Sequence, residues 1–312
     1  MELRPLGSLK VSVVGLGCNN FGMRIDEAQS ADVVQAALDA GINFFDTSDS
    51  YGGTKSEVFL GKALGARRDE VIIATKFASP VDDDPAHRGA SARWIREEVE
   101  NSLRRLGTDR IDLYQQHYPD PEVPLDETLG ALDDLVRAGK VREIGNSNFN
   151  ADQLGEADRI SQEKGWARFV SAQNELSVLR RNAARDLLPA CAELGLGFLP
   201  YFPLASGLLT GKYRKGEDPP EGTRLAAWGT RGEGLMTDKN FSRVEALTRW
   251  ADESGHSILD LAFAWLLAHE PVSSVIAGAT RPEQVKANVA AGSWKLGAED
   301  LAAIDQVMAE AG

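Results

Sequence analysis

The chain has little cysteine and histidine, no basic excess and no long apolar run. Its two cysteines, Cys18 and Cys191, lie far apart without CxxC spacing. That argues against a disulfide framework and against a thiolate metal site. The four histidines, His87, His117, His256 and His269, show no ligand spacing, so no metal is expected. Asp and Glu number 47 against 34 Lys and Arg, a formal charge of −13. Nucleic acid and anionic membrane call for a basic footprint, so neither is an expected partner. No apolar run could span a bilayer, and MELRPLGSLKVSVVGLG has no stretch of signal-peptide type. A reduced, cytoplasmic protein is expected. A GxGxxG is also missing. Gly15-Leu16-Gly17 is only a fragment of one, which disfavours a doubly wound dinucleotide domain.

What is present is alternation. Glu2 to Arg4 and Lys10 to Ser12 flank a Gly7-Ser8 turn and read as a hairpin. Strands are expected at Val13-Val14, Asn43–Phe45, Val71–Thr75, Ile111–Gln116, Val141–Ile144, Val170–Ala172, Gly197–Tyr201 and Ser274–Ile276. Helical patterns lie between them. In the clearest, Ile95, Val99, Leu103 and Leu106 share a face, with Ser91 as N-cap and Gly107 as the stop. Another starts at Ser257. Strand–helix alternation implies parallel strands, and eight of them suit a closed (β/α)8 TIM barrel, here one domain over residues 1–312. One stretch breaks the rhythm. Lys212 to Met236, after the seventh strand, is too long for an ordinary connection and reads as a functional or disordered loop.

Catalytic groups in such a barrel sit at the C-terminal ends of strands. Here the second strand ends in FFDTSDSYG, giving Asp46 and Tyr51, the third in ATKF, giving Lys76, and the fourth in LYQQHY, giving His117. Each alone has a structural explanation, as a cap, a rim charge or a hydrogen-bonded core histidine. Together they suit protonation of a developing alkoxide. Tyrosine, with a pKa of about 10, is too weak an acid near neutrality. A neighbouring Lys76 ammonium is expected to lower that pKa, with Asp46 holding Lys76 and His117 donating to the carbonyl oxygen. None of these side chains supplies hydride, so a cofactor is required.

The second half offers groups for one. Ser147, Asn148 and Gln173 carry donors and acceptors that match a carboxamide, and Tyr201 has a ring able to stack. In PLASGLLTGK, Gly207 and Gly211 permit close backbone approach and Lys212 suits a pyrophosphate. After the eighth strand a helix begins near Pro282, where its N-terminus and Arg281 favour a phosphate. Phe21, Phe77 and Tyr118, with Trp228, are candidates for an aromatic substrate pocket, and packing in core or loop explains Phe77 and Trp228 equally well.

The motifs GLGCNNFG, FFDTSDSYGGTKSEVFLGKAL, ATKF, RIDLYQQH, GNSNF, SAQNEL, YFPLASGLLTGKY and AGATRPEQVKANV run in order along nearly the whole chain. In these the sequence resembles the aldo-keto reductases, in the style of the family's bacterial branch. The resemblance implies carbonyl reduction with Asp46, Tyr51, Lys76 and His117 as the catalytic tetrad. It implies NADPH as cofactor, with NADH possible, bound extended without a Rossmann domain. Nicotinamide contacts would come from Ser147, Asn148, Gln173 and Tyr201. Pyrophosphate contacts would come from Leu204, Ser206, Gly207, Leu209, Gly211 and Lys212. Adenosine and 2′-phosphate contacts would come from Gly278, Thr280, Arg281, Gln284 and Asn288. One departure stands out: Gly278-Ala279-Thr280-Arg281 replaces the lysine-serine pair of many members. The alternative is a non-catalytic or weakly catalytic nicotinamide-binding regulator resembling potassium-channel beta subunits. A Schiff-base aldolase using Lys76 leaves the cofactor segments unexplained.

Overall fold

The computed structural model describes residues 1–229, 232 and 234–312. A hairpin comes first: β1 (Leu3–Leu6) pairs antiparallel with β2 (Leu9–Ser12), joined at Gly7-Ser8. Eight parallel strands follow: β3 (Val14–Gly17), β4 (Phe44–Asp46), β5 (Ile72–Phe77), β6 (Ile111–Gln116), β7 (Val141–Ser147), β8 (Phe169–Gln173), β9 (Gly197–Phe198) and β10 (Val275–Gly278). Their spatial order is β10-β3-β4-β5-β6-β7-β8-β9. A Phe198–Val272 bridge and a bond from Ile276 N to Pro200 O (3.2 Å) bring the last edge back to the first. This is the expected (β/α)8 barrel with its N-terminal hairpin.

The crossover helices form where the signals lie. Ser91 Oγ accepts from Trp94 N to start the helix Ala92–Leu106, and Gly107, at φ 64°, ends it. Ile95 and Val99 on its inner face are fully buried. Ser257 and Asp260 form a capping box for the helix Ile258–Leu267. No helix among the described residues is long and apolar enough to cross a membrane.

Two apolar clusters divide along the pleat of the strands. Inside the barrel, Phe44, Ile72, Ala74, Leu113, Leu199 and Ile276 pack with Leu6, Leu9 and Val11 of the hairpin, which plugs the N-terminal end. Outside, Phe45, Ile73, Phe77 and Tyr114 pack against the helices. Side chains alternate between these layers, so every second residue toward a strand's C-terminus enters the open rim. Beneath that rim a buried ionic cluster ties two helices to β5. Arg105 Nε lies 2.6 Å from Glu57 Oε2, Arg105 also pairs with Glu98, and Thr75 donates to Glu57.

Several strand boundaries differ from expectation. The strand expected at Gly197–Tyr201 has only two residues. Pro200 has no N–H for the ladder, and Phe202 at φ 51° turns the chain away. β5 and β7 run further, to Phe77 and Ser147. Their final residues are polar or follow polar ones, so the apolar pattern stops before the strand does.

Candidate active site

β4 and β5 carry Asp46 and Lys76 into the barrel at adjacent registers, because both fall on the inward parity. Lys76 is fully buried, and its Nζ spends all three donors: on Asp46 Oδ2 (2.7 Å), Thr47 O (2.9 Å) and Tyr51 OH (3.4 Å). Burial presses the lysine pKa down, but Asp46 and the Tyr51 oxygen more than offset it, and the net shift is upward. Asp46 Oδ1 accepts from Gln173 Nε2 (2.8 Å) and Gln115 Nε2 (3.2 Å). The carboxylate is thus held on both oxygens.

Tyr51 sits in the loop after β4, which presses against the Phe21–Gly22 turn. Gly52, at φ 62°, permits that approach, since a Cβ there would lie 2.3 Å from Phe21 O. Burial raises the Tyr51 pKa, and Lys76 pulls it back only in part. The expected lowering is therefore corrected. The ammonium acts in the expected direction, but desolvation of a phenolate is the larger effect.

His117 follows β6. Its Nδ1 lies 2.9 Å from Ser79 Oγ and 3.3 Å from Ser48 Oγ. Burial and the nearby Lys76 charge lower its pKa to about 3, so the ring is neutral at physiological pH. Its edge meets the Tyr51 ring at 5.8 Å between centroids, and the half-exposed Tyr118 stacks on it at 4.8 Å.

A cavity of about 840 Å³ opens beside these groups and runs across the rim. Asp46, Tyr51, His117 and Tyr118 line it. Ser147, Asn148, Gln173, Tyr201, Leu204, Ser206, Gly207 and Lys212 line it as well, and so do Gly278, Thr280, Arg281, Gln284 and Asn288. Asn148 is held at φ 62° by bonds from Tyr201 OH (2.8 Å) to its Oδ1 and from its Nδ2 to His117 O (2.9 Å). Such left-handed residues cost about 1–3 kcal/mol each and persist only where neighbours fix them. Ser206, at φ 59°, is another on this wall.

Several expected residues lie elsewhere. Phe77 is fully buried, packed on Tyr114 at 4.8 Å, and does not line the cavity. Parity is the reason: Lys76 points inward, so Phe77 must point outward. Phe21 is also fully buried in the outer core, with its backbone turning at Cys18. Leu209 is core, and neither it nor Gly211 lines the cavity. Trp228 packs on Phe202 at 5.9 Å. Of the four residues expected to form an aromatic pocket, only Tyr118 lines the cavity, whose wall also includes Ser50 and Ser79.

Other lining residues escaped the sequence reading. Arg24 and Arg224 join Lys212 and Arg281 on the cavity wall, and none of the four is paired with a carboxylate among the described residues. Burial, then the three arginines, lowers the Lys212 pKa. A polyanion suits such a cluster. Arg24 Nη2 donates to Gly222 O (2.5 Å), and Arg224 Nη2 to Asn20 Oδ1 (3.4 Å), so the segment after Lys212 reaches the loop after β3. That proximity had no sequence signal beyond the charges themselves. Positions 230, 231 and 233 of the 212–236 segment lie outside the described residues.

Fold and rim together define a barrel whose open end carries an acid–base chain beside a cationic cleft, the usual place for a barrel enzyme's active site. Comparison with known proteins narrows this. The sequence model of the Aldo/keto reductase family matches residues 13–309, and the chain belongs to that family of oxidoreductases. The family typically binds NAD(P)H and acts on small carbonyl substrates. An uncharacterized oxidoreductase of Bacillus subtilis, YrpG, is 37% identical, covering 98% of this chain and 96% of its own. A probable voltage-gated potassium channel subunit beta of rice is 33% identical over 93% and 91% of the two chains. An L-glyceraldehyde 3-phosphate reductase of Escherichia coli O157:H7 is 33% identical over 99% and 93%.

Proposed function

We propose that the protein reduces small aldehydes or ketones to alcohols with NADPH, in the cytoplasm, the whole chain acting as one domain. The observation that carries this is the Asp46–Lys76–Tyr51 chain opening onto a cavity lined by four cations, Arg24, Lys212, Arg224 and Arg281. The cavity fits the cofactor. Its volume of about 840 Å³, the amide side chains of Asn148 and Gln173 and its four cations suit a carboxamide joined to phosphates.

When bound, the nicotinamide supplies hydride to the carbonyl carbon. Tyr51 donates the proton to the carbonyl oxygen. Lys76 stabilises the tyrosinate left behind, and Asp46 keeps that lysine charged and oriented. His117, being neutral, donates a hydrogen bond to the same oxygen rather than a proton. Ser147, Asn148, Gln173 and Tyr201 face the nicotinamide end. Gln173 has a second role, since its amide nitrogen already supports Asp46. Leu204, Ser206, Gly207 and Lys212 suit the pyrophosphate, joined by Arg24 and Arg224. Gly278, Thr280, Arg281, Gln284 and Asn288 suit the adenosine end.

Arg281 decides between the cofactors. It is exposed at the N-cap of the helix Pro282–Ala291, where helix dipole and guanidinium both favour the 2′-phosphate. Arg281→Ala should raise KM for NADPH at least tenfold, with KM for NADH little changed, in steady-state assays with a short aldehyde. Equal effects on both cofactors would remove Arg281 from that role. The potassium-channel relative suggests a second reading, cofactor binding without useful turnover. The complete Asp46–Lys76–Tyr51 chain favours catalysis.

A further inference from the structure

We propose that Ser79 is a positioning residue for His117: its hydroxyl donates to Nδ1 and fixes the ring as the Nε2–H tautomer, leaving Nε2–H to donate to the substrate's carbonyl oxygen. This rests on the reductase reading above and assigns what that reading leaves open.

A neutral imidazole carries one N–H, and its place depends on what faces the other nitrogen. Two hydroxyls face Nδ1, and they make opposite demands. Ser48 Oγ donates to Asp49 Oδ1 (2.8 Å), so its proton is committed and it presents a lone pair to the ring. Alone, that lone pair would draw the imidazole proton onto Nδ1. Nε2 would then present a lone pair to the carbonyl oxygen, and two acceptors repel. Ser79 Oγ is closer, at 2.9 Å against 3.3 Å, and has no second hydrogen-bond partner among the described residues. Its proton is free to go to Nδ1.

The backbone is built to place this hydroxyl. Phe77 leaves β5 pointing outward, and Ala78 then takes φ 86°, a conformation an alanine adopts only under constraint. Gly89 N donates to Ala78 O (3.0 Å) and holds the kink. The turn brings Ser79, which is buried, over the back of the imidazole and onto the cavity wall.

Long-range proton–nitrogen correlation spectra of the 15N-labelled full-length chain report the tautomer directly, with His117 identified by its loss in His117→Gln. Nε2–H is expected in the wild type. Ser79→Ala should shift His117 to Nδ1–H and lower kcat about 10²-fold, the usual cost of losing a donor to a developing oxyanion, with KM for NADPH unchanged. Ser79→Thr should restore both tautomer and rate, and Ser48→Ala should keep the Nε2–H form. An Nδ1–H wild type, a Ser79→Ala ring still in the Nε2–H form, or a flip caused by Ser48→Ala instead would each overturn the proposal. The tautomer is read without turnover. An inactive wild type would therefore sink the reductase reading alone, whereas an active enzyme with an unmoved tautomer would sink this one alone.

Discussion

At the scale of single residues, His117 shows how burial sets a chemical role. An exposed histidine titrates near 6.5, whereas this one is lowered to about 3 by burial and by Lys76. Between those values the unfolded chain binds a proton that the folded chain refuses. The neutral ring therefore contributes stability that is complete above about pH 6.5 and is lost as pH falls toward 3, at roughly 1 kcal/mol per pH unit. Urea unfolding at pH 7 and pH 5 should show the wild type losing roughly 2 kcal/mol more than His117→Gln. Parallel losses would mean that His117 titrates normally. Asp46, Tyr51, Lys76 and His117 were legible because each ends or follows a strand in a repeating pattern. Phe77 was misread although its parity was available, since Lys76 and Phe77 are consecutive and cannot both face inward. The Tyr51 pKa was misjudged because a neighbouring charge is visible in sequence and desolvation is not.

At the scale of elements, the segment after the Ala205–Thr210 turn forms part of the cavity wall. Glu221 to Arg224 line the wall, a short helix spans Arg224–Trp228, and Tyr213 OH accepts from Leu225 N (3.5 Å). Among the described residues, hydrogen bonds from Arg24 to Gly222 O and from Arg224 to Asn20 tether it to the loop after β3. We propose that this segment acts as a clasp, closing over bound phosphates and reopening for release, a step that often limits kcat where such lids exist. Amide exchange over residues 213–229 should slow at least tenfold when NADPH is added, because the cations there gain a ligand that links them. Unchanged exchange would leave an inert surface insertion. The helices Ala92–Leu106 and Ile258–Leu267 were legible from caps and stripes, since Ser91, Gly107 and Ser257 act locally. β9 was overextended because apolar composition hid the missing donor of Pro200.

At the scale of the whole molecule, an acidic chain of net charge −13 gathers four cations, Arg24, Lys212, Arg224 and Arg281, around one cavity. Composition argued against a broad basic surface and left room for a local basic pocket, without showing which residues would form it. Arg24 and Arg224 meet Lys212 and Arg281 only when the barrel closes and brings the loops after β3, β9 and β10 together, so their grouping was invisible along the sequence. The barrel itself was legible, because alternation of eight strands with helices has few closed solutions. The hairpin plugs one end of the barrel, and the cavity beside Asp46 and Tyr51 opens at the opposite rim. The most direct test is Tyr51→Phe, assayed by NADPH oxidation with a short aldehyde alongside fluorescence titration of NADPH binding. Loss of the proton donor alone should lower kcat by about 10²–10⁴-fold and leave NADPH affinity within about twofold. A variant that kept most of its kcat, or a wild type that bound NADPH and turned over no carbonyl substrate, would contradict the assignment of Tyr51 as the acid of a reductase.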